Sequence, residues 1–148
     1  MYIHSTRLGK IEITETDKVS FPEGLPGFVD EKEFAVLPEG DSPFAFLQSL
    51  HEPDLTFLLV DPFAFYSEYT FELNDETVER LALKDTNPPQ VWCIVTVPEQ
   101  VRDMTANLLA PVLMNRKDNV ARQHVIENSK YTTRHRLFVE PNSPEGGV

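Results

Sequence analysis

The chain reads as a mainly β protein, an antiparallel β-barrel-like domain with one short helix. Three observations lead there. Apolar runs are short and end at turn residues, with 12 Pro and 6 Gly spread over 148 residues. The alternation of apolar and polar side chains has the period of strands. The regular strand–helix–strand rhythm of a nucleotide-binding sheet is missing.

The elements follow in order. A first strand is expected near Tyr2–Arg7, with Leu8-Gly9-Lys10 turning into a second in which Ile11 and Ile13 alternate with Lys10, Glu12 and Thr14. Phe21 to Phe28 holds two Pro and two Gly in eight residues, a loop of fixed backbone whose Phe and Leu side chains are expected to pack on the core. Strands are expected at Phe34–Leu37, Phe44–Ser49 and Leu55–Val60, the last apolar on both faces and therefore central. Asn74 is placed to cap a helix over about 75–82, with Asp75 and Glu76 in its first turn, Arg80 and Lys84 near its end, and Leu73 and Val78 spaced as a hydrophobic staple. Asn87-Pro88-Pro89 stops it. Gln90–Val97 forms a strand with Val91, Cys93, Val95 and Val97 on one face and Trp92, Ile94 and Thr96 on the other. Pro98–Asp103 is a loop or helical turn. Ala110–Asn115 and Val120–Ile126 flank a turn as a hairpin, and Arg136–Glu140 is the last strand. The barrel domain is expected to span 1–138, with 139–148 a flexible tail.

Composition narrows function. The single cysteine, Cys93, allows no internal disulfide, and no signal sequence or apolar run of membrane-spanning length is visible. A cytoplasmic location is expected. The formal charge is -11, unevenly placed: residues 1–99 carry 6 basic and 19 acidic side chains. Between Lys32 and Arg80 lie Glu33, Glu39, Asp41, Glu52, Asp54, Asp61, Glu68, Glu72, Asp75, Glu76 and Glu79, with no Lys or Arg. Such a surface repels phosphate backbones and attracts basic partners. The basic residues Arg116, Lys117, Arg122, Lys130, Arg134 and Arg136, with Tyr131 and Phe138 beside them, are read as balancing the acidic part rather than as an RNA site.

Catalytic chemistry finds little support. Cys93 sits among valines, the pattern of a buried core thiol rather than a nucleophile. His4, His51, His124 and His135 lack metal-ligand spacing. Gly24 and Gly27 are followed by neither a P-loop lysine nor a helix start. No catalytic residue, metal or cofactor is expected.

Four stretches carry a resemblance. Phe21-Pro-Glu-Gly-Leu-Pro-Gly-Phe28, Pro43-Phe-Ala-Phe-Leu-Gln-Ser49, Phe57-Leu-Leu-Val-Asp-Pro-Phe63 and Thr105-Ala-Asn-Leu-Leu-Ala-Pro-Val-Leu-Met-Asn115 occur in the order and spacing of the FliW family. Gln123 and Tyr131 also fall where that family tends to have them. The resemblance covers about residues 1–138. It implies a non-enzymatic flagellar assembly factor that binds flagellin in the cytoplasm. Once freed, such a factor binds CsrA, a small basic dimer that represses flagellin translation, so that the mRNA is released. No direct contact with nucleic acid or membrane is expected.

Within the matching stretches, structural roles are favoured for Gly24, Leu25, Pro26, Gly27, Phe28, Phe44, Gln48, Asp61, Pro62, Asn107, Pro111 and Asn115. The candidate partner contacts are the acidic loop positions Glu39, Asp41, Glu52, Asp54, Glu68 and Glu72. The competing expectation is a small β-barrel enzyme, or a carrier of flavin or another ligand in the barrel mouth.

Overall fold

A computed structural model describes residues 1–127 and 129–138. The chain opens with a hairpin, β1 (Tyr2–Ser5) and β2 (Gly9–Glu12). There follow β3 (Lys18–Ser20), β4 (Glu33–Pro38), β5 (Phe44–Ser49) and β6 (Thr56–Val60). After the helix α1 (Asp75–Arg80) come β7 (Gln90–Thr96), β8 (Thr105–Ala106), β9 (Val112–Asn115), β10 (Val120–Gln123) and β11 (His135–Arg136).

The main sheet runs β11-β8-β7-β6-β5-β4-β3-β10-β9, and pairing of β7 with β9 closes seven of its strands into a barrel. Strand β7 makes the closure by dividing its partners. Gln90–Trp92 face β9, whereas Val95 and Thr96 face β8. The pairing is not wholly antiparallel, because an odd ring of strands cannot alternate direction all the way round. The one parallel contact is Val120 with Ser20, between β10 and β3, held by the Ser20 N–H donating to the Asn119 carbonyl at 2.9 Å.

Strand alternation sorts the side chains into three clusters. Phe34, Val36, Ala45, Leu47, Leu59, Val112, Met114 and Ala121 fill the barrel interior with Phe21 and Leu25. Outside it, Val60, Cys93, Val95 and Ala106 pack against Tyr69, Leu108, Ile126 and Leu137. The β1–β2 hairpin covers the outer face of β4 through Ile3, Ile13 and Ala35. This explains the continuous apolar run of β6. Phe57 and Leu59 face the interior, while Leu58 and Val60 face the second cluster.

Several sequence expectations shift by a few residues. The helix stops at Arg80, not 82: Ala82 takes φ +51°, which ends the regular turn. Its N-terminus has the expected cap, the Asn74 side chain accepting from the Thr77 N–H at 2.8 Å. Phe44 is only half-buried and packs on the outer cluster, and Val97 lies exposed beyond the end of β7. The last strand is His135–Arg136. Leu137 and Phe138, expected to continue it, lie beyond its end without strand pairing, and residues 139–140 of the expected strand, with the expected 139–148 tail, lie outside the described residues.

Candidate protein-binding surface

The loop from Phe21 to Phe28 sits at the barrel mouth. Leu25-Pro26-Gly27-Phe28 is a tight turn closed by the Phe28 N–H donating to the Leu25 carbonyl at 2.7 Å, with Gly27 at φ +82°. Phe21 and Leu25 drop into the barrel, at 0% and 2% exposure, whereas Phe28 stays 41% exposed, edge-on to Phe57. The expectation of inward packing thus fails for Phe28, because the turn that buries Leu25 carries the next aromatic outward. Gly24 has a stricter reason to be glycine: at φ +68° its missing Cβ would lie 2.6 Å from the Val29 backbone. Charge ties this loop to two other elements. Glu23 contacts Arg80 of α1 at 3.0 Å and Arg122 of β10 at 3.7 Å, and both arginines also reach Glu76.

The polar residues of the matching stretches hold turns together. Gln48 is 0% exposed. Its amide N–H groups point to the carbonyls of Ser49, Glu52 and Pro53, and its oxygen accepts from the Thr56 hydroxyl. Asn115, also buried, donates to the Leu81 carbonyl and the Asp118 carboxylate, and accepts from Asn87 and from the N–H groups of Lys117 and Asp118. It thereby joins the end of α1, the 84–87 turn and the β9–β10 turn. Asp61 caps a short 3-10 turn, Pro62–Ala64, by accepting from the Phe63 N–H. Asn107 accepts from the Ala110 N–H. Buried Pro111 supplies the carbonyl that receives the His124 N–H.

All six acidic candidates are exposed, but they do not form one patch. Glu39 and Asp41 lie in the β4–β5 turn, beside the Pro43 carbonyl that receives the Asp61 N–H. Glu52 and Asp54 lie in the β5–β6 turn, at the other end of β5, where Thr6 of the first hairpin bonds Pro53 and Asp54. Glu68 and Glu72 lie on the segment leading into α1.

Glu72 alone among the six lines a groove of about 490 Å³. One wall is Thr70–Asn74; the other is His124–Glu127 with Ser129. His124 spans the walls. Its Nε2 lies 3.3 Å from the Glu72 carbonyl and its Nδ1 lies 3.1 Å from the Thr77 hydroxyl. A carbonyl only accepts, so Nε2 carries the hydrogen and Nδ1 accepts from Thr77. Burial lowers the imidazole pKa, the Glu72 bond opposes that shift, and Arg122 adds to it. The alternating pattern Thr70-Phe71-Glu72-Leu73 was the sequence signal for this wall, but the segment forms no strand.

Burial pushes the Cys93 thiol up to about 12, against the effect of its hydrogen bond with Tyr69, so the nucleophilic thiolate is suppressed. Among the described residues, no group of three or more His, Cys, Asp or Glu is placed to hold a metal. No helix of the described residues is long and apolar enough to cross a membrane. Three of the six basic residues are engaged internally: Arg122 as above, Arg136 with Asp103 at 3.1 Å, and Arg116 with the Thr16 carbonyl at 2.5 Å. Tyr131 stacks edge-on to Tyr69 at 4.8 Å.

Fold and surface together define a small closed β-barrel with an acidic exterior, a turn-built mouth and a groove beside α1. The chain belongs to the FliW family, whose model, "FliW protein", matches residues 2–137. It is 50% identical to the flagellar assembly factor FliW of Desulfitobacterium hafniense (strain DSM 10664 / DCB-2), over 99% of each chain. It is 42% identical to that of Bacillus subtilis (strain 168), over 91% of this chain and 95% of the relative. A crystal structure of the flagellar assembly factor FliW superposes with a TM-score of 0.87 at 38% identity, covering 95% of this chain and 99% of the other. These relatives are named as assembly factors, not as enzymes.

Proposed function

We propose that this protein is a cytoplasmic flagellar assembly factor that acts by exchanging protein partners and catalyses nothing. It binds newly made flagellin. When flagellin is exported, the freed protein binds CsrA, CsrA lets go of the flagellin message, and synthesis resumes. The observation that carries the reading is family membership along nearly the whole chain. The acidic loops supply what a basic partner needs. Glu39, Asp41, Glu52, Asp54, Glu68 and Glu72 are all solvent-facing, and the formal charge of -11 draws in a cationic partner while repelling RNA.

The exchange needs only differential binding. Flagellin and CsrA must exclude one another, through overlapping sites or through two conformations. Against a ligand held deep in the barrel, Phe21, Phe34, Leu47, Leu59 and Met114 fill the interior. Calorimetric titration of the purified protein with flagellin and with CsrA tests the proposal. Saturable binding to each, with flagellin abolishing the CsrA signal, supports it; heat from neither partner refutes it.

A further inference from the structure

The groove beside α1 has features that the barrel does not need. Beyond β10 the chain continues extended. The His124 N–H donates to the Pro111 carbonyl and the Ile126 N–H to the Leu109 carbonyl, both at 2.9 Å. N–H groups alternate sides along an extended chain, so those of Val125 and Glu127 point away from this pairing. Among the described residues neither has a hydrogen-bond acceptor, nor do the N–H groups of Phe71, Glu72 and Leu73 on the facing wall. The groove is therefore bordered on both sides by backbone with unused donors, extended along the 124–126 side. Val125 is 60% exposed at its rim, and Phe71 and Leu73 are half-buried in its wall. Among the described residues, those lining it that carry a formal charge are Glu72 and Glu127.

Backbone donors in a row recognise main-chain carbonyls, apolar walls accept alternate side chains, and carboxylates at the rim select cations. We infer that this groove is a docking site for an extended segment of a partner protein, one that alternates apolar residues with Lys or Arg. The segment adds as a strand against Val125–Glu127. Four residues of wall span about 13 Å, so the bound core is four or five residues long. His124 fixes the groove's depth by tying Glu72 and Thr77 to the strand side. The inference rests on the partner-binding reading above and assigns that reading a surface.

The test uses the full chain, 15N-labelled, with the synthetic peptide acetyl-Lys-Val-Lys-Val-Lys-Val-amide as probe. The expected result is saturable movement of the Val125, Glu127, Phe71, Glu72 and Leu73 amide signals. Methylating alternate backbone nitrogens of the peptide should weaken binding at least about tenfold if strand pairing holds it. Replacing its Lys by Glu should do the same if the rim carboxylates select. No movement, movement confined to other surfaces, or equal binding of the N-methylated peptide overturns the inference. A second arm measures flagellin and CsrA binding to the Glu72→Lys/Glu127→Lys variant, checked for folding by circular dichroism. Loss of binding to at least one partner is expected. If both affinities are unchanged while the unmodified chain binds both, the groove assignment fails and the assembly-factor reading stands. If the unmodified chain binds neither, that reading fails, and the peptide arm still decides the groove.

Discussion

Replacing Gly24 and Gly27 by alanine, one at a time, separates two reasons for glycine in the same loop. Both residues have positive φ, +68° and +82°. A side chain there costs about 1–2 kcal/mol from the left-handed backbone alone. At Gly27 nothing lies within 4 Å of the added Cβ, so that cost stands by itself. At Gly24 the new methyl would sit 2.6 Å from the Val29 Cα and carbonyl oxygen, both backbone atoms that cannot rotate away. Relieving the overlap means moving the 24–29 loop, for a further cost of about 1–3 kcal/mol. Gly24→Ala should therefore destabilise by about 2–5 kcal/mol and Gly27→Ala by about 1–2 kcal/mol. For a chain of this size those losses lower Tm by about 6–15 °C and about 3–6 °C. Urea unfolding followed by tryptophan fluorescence gives both numbers, since Trp92 packs against the same interior cluster. Equal losses for the two variants would refute the steric argument.

Three further predictions follow from buried groups. Asn115→Ala leaves the Leu81 carbonyl and two N–H groups of the β9–β10 turn without their partner and should cost about 3 kcal/mol in urea unfolding; a loss below about 1 kcal/mol would contradict its role as a junction. Burial lowers the His124 pKa in the folded state. Above the ordinary histidine value of about 6.5 its contribution is fully present; as pH falls below that value the unfolded chain takes up the proton first, and stability drops until the folded-state pKa is passed. His124→Gln should flatten this acid limb of the stability curve, and an unchanged slope would show that the imidazole is not held neutral. The Cys93 thiol, 0% exposed and raised to about 12, should react with Ellman's reagent only at the rate of unfolding. Prompt labelling of the native protein would contradict its burial.

The parts of the fold that were legible in the sequence are those with enough residues to show a period. β5, β6 and β7 run five to seven residues, and their alternation reports which faces are covered. The Asn74 cap was legible because capping is a local interaction. β3 and β8, with three and two residues, fall below any periodic signal. They exist because neighbouring strands offer edges to them. Closure of the ring was hidden for the same reason: it depends on β7 giving its first half to β9 and its last residues to β8. Charge counts could identify exposed acids but not their arrangement, since Glu39 and Glu52 leave opposite ends of one strand. The groove joins residues some 50 positions apart. Its signals were a histidine within the expected Val120–Ile126 strand and the alternation of Phe71 and Leu73, neither of which points to the other.

The proposal that this protein controls access to a message by exchanging protein partners can be checked by adding the protein to CsrA bound to fluorescently labelled flagellin-leader RNA. Anisotropy should fall as RNA is released, the protein alone should leave free RNA unchanged, and added flagellin should restore the bound signal. RNA that stays on CsrA at saturating protein, or release that flagellin does not reverse, would contradict it.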